Sequence, residues 1–245
     1  MFCKFRLKRL SGSWRRRVRR IGRSLEYNPI WMYIPKHFQE IRTDILHEFI
    51  RAHSFGALVT LSLDGLVASH IPFLLDSEPA PLGTLRGHVA RANTQWRDSS
   101  PEVAALAIFE GPHHYISPNW YPSKAEHGRV VPTWNYAVVH AYGPLKSFDD
   151  RERLLGIVRS LTDLHEAAFP EPWKLEDAPE EFIDGMLNAI VGIEIPVARL
   201  EGKWKVSQNR PDTDRRQTAH KLRALGTPES AAMACLIDAV FAGAL

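Results

Sequence analysis

Three short stretches of this 245-residue sequence concentrate side chains suited to holding a polar ligand. The densest runs Pro112-His113-His114-Tyr115-Ile116-Ser117-Pro118-Asn119-Trp120-Tyr121-Pro122-Ser123-Lys124 and resumes at Val131-Pro132-Thr133-Trp134-Asn135-Tyr136. Large rings interleaved with Asn, Ser and Lys suit a flat, partly polar ligand, because rings supply a stacking surface and polar groups set orientation. A flavin is one such ligand; core aromatics joined by loop turns would give the same composition. The second stretch, Gly87-His88-Val89-Ala90-Arg91-Ala92-Asn93, leaves a strand and enters a short helix expected around 93–98. Arg91 and backbone N–H groups at a helix start are phosphate-binding chemistry, but the motif alone is weak. The third, Glu201-Gly202-Lys203-Trp204-Lys205-Val206-Ser207-Gln208-Asn209-Arg210, joins an aromatic to amide and cationic groups and reads equally well as a solvated strand end.

Other chemistry is missing from the chain. HExxH, GxGxxG and GxxxxGK[ST] do not occur, and His113 and His114 are adjacent, so on a strand they face opposite ways. We therefore assign no catalytic residue and no metal ligand. The two cysteines, Cys3 and Cys235, form neither a CxxC pair nor a disulfide framework, which excludes a thiolate zinc site and points to a reducing cytoplasm.

The elements that must position these stretches follow from hydrophobic period. Phe38, Ile41, Ile45 and Phe49 recur at helical spacing, predicting a helix over 38–52. The period then falls to two, with Phe55, Ala57, Val59 and Leu61 on one face, and Asp64-Gly65 marks a hairpin returning through 66–74. Further strands are expected at 84–90, 103–109, 113–117 and 130–142, the last with Trp134, Tyr136, Val138, His140 and Tyr142 on one side. Closely spaced strands before any long helix argue for an antiparallel sheet closed into a barrel, not for β-α-β units. A helix capped by Asp149-Asp150 should run to about Glu166, followed by a short helix at 180–187, a strand at 190–196, and helices near 213–225 and 228–241.

Composition is that of a globular protein, 44% hydrophobic and 24% charged. The formal charge of +3 sums two unlike regions. Residues 1–24 hold ten Lys or Arg and no acid, leaving 21 basic against 28 acidic residues in the rest. Such an arm is compatible with nucleic-acid binding or a transit segment; the plainer expectation is that 1–31 is a disordered extension, or sequence ahead of a natural start at Met32. No stretch approaches the 18 apolar residues of a membrane span, so a soluble protein without a membrane partner is expected.

Taken in order, the three stretches, together with Met32-Tyr33-Ile34-Pro35-Lys36-His37-Phe38, resemble the PaiB family of FMN-binding negative transcriptional regulators. The resemblance covers nearly all of 32–240 and leaves out only the arm; Thr94 departs from the proline usual in the family, at a helix start. It implies an α+β fold, an antiparallel split β-barrel of the flavin-reductase and pyridoxamine-phosphate-oxidase type with flanking helices, spanning 32–245 and paired as a homodimer with FMN at the interface. On that resemblance Ser69, His70, His88, Arg91 and Asn93 are candidates for the FMN phosphate and ribityl chain. Trp120, Lys124, Trp134, Asn135 and Tyr136 would lie nearer the ring, and Lys205, Gln208 and Asn209 would reach in from the partner. The family label implies a repressor; an FMN-dependent oxidoreductase or flavin reductase on the same fold is the alternative. DNA binding finds no support in the charge of the body, and the second helix of the 213–241 pair carries no Lys or Arg.

Overall fold

The computed structural model describes residues 32–78 and 81–243; the basic segment expected to be an extension lies outside them. Two antiparallel sheets form the frame. The larger has strand order β1-β10-β7-β6-β2-β3, from β1 (Gln39–Glu40), β2 (Phe55–Ser62), β3 (Gly65–Pro72), β6 (Ala105–Ile116), β7 (Thr133–Gly143) and β10 (Arg199–Lys205). The smaller has order β4-β5-β9-β8, from β4 (Leu74–Asp76), β5 (Thr84–Ala90), β8 (Lys146–Phe148) and β9 (Ile190–Pro196). In three places the chain crosses from one sheet to the other within one or two residues, at Phe73, at 144–145 and at 197–198. Backbone bonds stitch two of these crossings, from Phe73 N–H to the Ser54 carbonyl and from Ala198 N–H to the Tyr142 carbonyl, both at 2.8 Å.

The inner faces meet in one core. Leu58, Ala107, Phe109, Val139 and Trp204 come from the larger sheet, and Leu85, Val89, Val191, Ile193 and Ile195 from the smaller. Helix α1 (Thr43–Ala52) adds Leu46, Phe49 and Ile50, with the Phe49 ring 5.0 Å from that of Trp204. Beyond α2 (Gln95–Asp98) and α3 (Ser123–His127), α4 (Arg151–Glu166) and α5 (Glu180–Asn188) pack on the smaller sheet. Asp150 caps α4 by accepting from the Arg153 N–H at 2.8 Å, as the acidic pair predicts. The last pair, α6 (Asp212–Ala224) and α7 (Pro228–Phe241), buries Leu222, Met233, Ala234 and Ile237, and α7 lies along β6. The result is the expected α+β split barrel.

Three expectations need correction. The helix predicted over 38–52 starts only at Thr43. A single 3-10 turn (Lys36–Phe38) comes first, then Gln39 and Glu40 pair with Lys203 and Gly202 of β10, and the Glu40 carboxylate turns back onto the N–H groups of Ile41 and Arg42. Ile41, counted on the helical face, is exposed. The strands expected at 103–109 and 113–117 are one strand, β6, with a bulge between Glu110 and His113. The sequence also hid β4, β8 and β10, which are short or carry charge on alternate positions.

Gly143 lies where the two sheets touch, and a Cβ there would run into the Pro196 carbonyl oxygen. Gly143→Ala should destabilise the fold by about 2–3 kcal/mol, read as a lower urea midpoint. Burial pushes His53, His88 and His140 below the ordinary imidazole range, although Glu201 and Glu110 pull His140 upward. Unfolding returns each to about 6.5, so below that pH the unfolded chain binds more protons than the folded one and stability falls. The carboxylates held low by arginine, Glu40 by Arg42 and Asp149 by Arg91, are lost only in stronger acid. The urea midpoint should therefore drop already between about pH 7.5 and about pH 5.5; a flat profile there contradicts this account.

Candidate functional site

The larger sheet turns one face to the core and the other outward, and the outward face is unusually apolar. Across β2 and β3 the pairs Phe55–Pro72, Ala57–His70, Val59–Ala68 and Leu61–Leu66 lie on it. Phe55 is 66% exposed and Leu66 78%. Alternation along β2 was legible, but the face holding Phe55, Ala57, Val59 and Leu61 points outward, while Gly56, Leu58 and Thr60 are buried. Further across the sheet, Trp134 and Tyr136 of β7 line an open cleft of about 600 Å³ with Met32, Tyr33, Glu110, His113, His140 and Lys203. Trp134 is 52% exposed, with the ring of His113 5.8 Å away. Lys203 Nζ donates to the Tyr33 carbonyl at 2.8 Å and stands 5.3 Å from the Tyr136 ring centroid.

His140 and Tyr142, farther along the same face, are 3.3 Å apart at Nδ1 and Oη. Burial, reinforced by Glu201, pushes the Tyr142 hydroxyl up to about 12. Burial favours the neutral form of both groups. The sequence reading placed Tyr136 and His140 together on β7 but assigned no role to His140, His113 or Lys203; only strand pairing brings the last two beside Tyr136.

Alternate residues of β7 face the other way. Thr133 and Asn135 line a smaller pocket of about 230 Å³ with Tyr121, Lys205, Ser207, Asn209 and Arg210. Asn135 is 1% exposed, and its amide donates to the Ser207 hydroxyl at 2.9 Å. Lys205 donates to Thr133; burial and the neighbouring charges of Lys203 and Arg210 push its pKa down. Gln208 does not share this pocket. Its carbonyl oxygen accepts from Val206 N–H at 2.8 Å and its amide donates to the Trp204 carbonyl, so it locks the turn after β10.

The remaining candidates are scattered. Ser69 on β3 accepts from the Asn93 amide at 2.9 Å, and His70 beside it stacks on Phe55 with centroids 6.2 Å apart. Arg91 is engaged on every nitrogen: Nη1 and Nη2 grip Asp149, Nη2 also reaches the Ile190 carbonyl, and Nε bonds the Asn188 carbonyl at 2.8 Å. His88 sits on β5 opposite Gly192, its Nδ1 buried without a hydrogen-bond partner. Trp120, in the 3-10 turn Pro118–Trp120, is 6.3 Å from the His114 ring, and Lys124 donates to Asn119 at 2.6 Å. Of the candidates, the structure thus gathers Trp134 with Tyr136, Asn135 with Lys205 and Asn209, and Ser69 with Asn93, while His70 faces the opposite side of β3 from Ser69.

These donor sets fit a flavin mononucleotide. Exposed rings beside a cation suit its ring system, hydroxyl and amide groups at the sheet edge suit its ribityl chain, and unpaired cations suit its phosphate. Residues 32–199 match the family described as "Putative FMN-binding domain". The chain is 33% identical over 241 residues to an uncharacterised protein of Aspergillus fumigatus, covering 80% of this chain and 92% of that one. It is 31% identical over 207 residues to the Bacillus subtilis protein named "Protease synthase and sporulation protein PAI 2", covering 84% of this chain and 97% of that one. A conserved hypothetical protein of Mycobacterium tuberculosis shares the fold, with a TM-score of 0.51 at 13% identity over 74% of this chain and 94% of that one. With nearly all of its cleft and barrel inside the matched region, and β10 just beyond it, the chain belongs to the FMN-binding family, as a PaiB-like member whose cofactor is FMN.

Proposed function

We propose that two copies of this chain pair through the outward face of the larger sheet, hold FMN there, and act as a cytoplasmic oxidoreductase on a small molecule. The observation that carries the reading is one surface on which an exposed apolar sheet face runs into an aromatic cleft edged by Lys203. An apolar patch of this kind on a soluble chain marks an interaction surface. Trp134 and Tyr136 would flank the flavin ring, with His70 on the same face toward the ribityl chain and the Ser69–Asn93 pair behind it at the edge of the sheet. Arg91 is left out of this assignment because four of its five N–H donors are already used. Trp120, Lys124 and His88 stand outside the cleft, and Gln208 serves its turn. Bound FMN supplies hydride chemistry; the protein's part is to orient it and to leave room for a second molecule. The open cleft offers that room.

The repressor role implied by the PaiB resemblance needs an exposed recognition helix. Helix α7 is packed along β6, and its partner α6 turns Arg215 and Arg216 over the Phe241 ring while Arg223 pairs with Asp238. The oxidoreductase reading is the one this geometry favours.

Purified protein should bind one FMN per chain, and Trp134→Ala should weaken that binding roughly 3- to 10-fold by removing a stacking ring, measured by quenching of flavin fluorescence. Leu66→Glu should convert a dimer to a monomer in sedimentation. A wild-type protein that sediments as a monomer with FMN bound would overturn the interface. FMN-dependent oxidation of a reduced nicotinamide cofactor separates the two roles. It should occur with protein beginning at Met32, which should not shift promoter DNA at physiological salt; the reverse pair of results would restore the repressor reading.

A further inference from the structure

The pocket across β7 from the aromatic cleft has the makings of a site for an anion. Its charged lining groups are Lys205 and Arg210, and no carboxylate lines it. Ten other arginines among the described residues lie within ion-pair distance of a carboxylate. Arg210 instead lies over the face of Tyr121, its guanidinium carbon 4.7 Å from the ring centroid, and Lys205 reaches only the Thr133 hydroxyl. Two unneutralised cations beside each other in an acidic body oppose folding unless something answers them.

The second observation is independent of charge. Tyr121 is 3% exposed, and its buried hydroxyl makes no hydrogen bond of ordinary geometry, with the Arg210 guanidinium only loosely beside it. A buried hydroxyl without a partner is uncommon and costly. The Asp214 carboxylate, which accepts from the Ser123 N–H and hydroxyl, makes no bond to it. The pocket's volume of about 230 Å³ exceeds that of several waters at about 30 Å³ each, enough for a tetrahedral oxyanion.

We propose that this pocket binds a phosphate-type oxyanion, with Lys205 and Arg210 supplying charge and Asn209 and the Tyr121 hydroxyl donating hydrogen bonds. Two sources share that chemistry. One is the phosphate of FMN from either subunit, which rests on the flavin reading above and gives it the phosphate contact that Arg91 does not provide. The other is a free phosphorylated small molecule bound beside the flavin.

The test uses full-length protein stripped of flavin, as wild type, Tyr121→Phe and the double variant Lys205→Gln/Arg210→Gln. Each is titrated with inorganic phosphate, FMN and riboflavin, reading thermal midpoint and flavin fluorescence. Phosphate should stabilise the wild type and bind the double variant at least about tenfold more weakly. Tyr121→Phe removes only an unbonded hydroxyl, so without ligand it should be at least as stable as the wild type, yet bind phosphate several-fold more weakly. If the flavin is the source, FMN competes with phosphate and loses the same factor in the variants while riboflavin does not. If the source is a separate molecule, FMN and riboflavin bind every variant alike and phosphate binds alongside FMN. Phosphate that leaves the wild type unaffected, or stabilises all three proteins equally, overturns the site. Because the phosphate titration needs no flavin, a failure of flavin binding is read separately.

Discussion

Strand β7 is hydrogen-bonded on both sides, to β6 and to β10, and so cannot roll about its own axis. Its successive side chains must fall on opposite faces of the sheet. Trp134 and Tyr136 therefore build a wall of the outward cleft, Thr133 and Asn135 a wall of the pocket behind it, and Ala137, Val139 and Ala141 the barrel core. The bulge in β6 belongs to the same constraint. Between Glu110 and His113 the partner strand takes one extra residue, so His113 takes the place opposite Tyr136 that Pro112 would otherwise hold, and His114 pairs with Asn135 instead of Trp134. Gly111 makes that bulge compatible with the core, because the Phe49 ring occupies the space a side chain there would need. A core contact thus chooses which histidine faces the cleft.

Charge is distributed by a similar economy of position. Arg91 joins three segments, since Asp149 precedes α4, Asn188 ends α5 and Ile190 begins β9. A fork that grips a carboxylate and two carbonyls keeps only one Nη1–H for another acceptor. The positive charge that remains available lies elsewhere, on Lys203 at the outward cleft and on Lys205 and Arg210 at the pocket lined by Thr133 and Asn135. Both cavities draw on β10 or the turn after it, so the Gly202-to-Arg210 stretch serves both faces of the sheet.

Much of this was legible in sequence where the signal is local. The Asp64-Gly65 turn, the strand at 84–90, the Asp150 cap and the 212–241 helix pair all stand within a residue or two of expectation. What failed was decided by distant partners. Helix α1 is shortened because Gln39 and Glu40 pair with a strand more than 160 residues later. The outward turn of Phe55 and Leu61 was hidden because both faces of β2 carry apolar residues, so period alone does not say which is buried. The pocket behind β7 depends on Asn135 meeting Ser207, 72 residues away, and on Ser207 adopting a φ of 70°, which no residue type other than Gly or Asn would have announced. Arg91 was a phosphate candidate by type and neighbours, and only the fold brings Asp149 to it.

The two surfaces left over by folding differ in what they can attract. Nucleic acid is held by cations that neutralise several phosphates at once, and α6 spends Arg215, Arg216 and Arg223 on the Phe241 ring and Asp238. Those contacts hold α6 to α7, whose other side is occupied by β6. The outward sheet face carries the opposite imbalance, with Phe55, Leu66, Tyr115 and Trp134 exposed to water. Covering it gains apolar burial without breaking any contact already made. A second copy of the same face and a flavin ring both satisfy that requirement, and neither asks the helix pair to move.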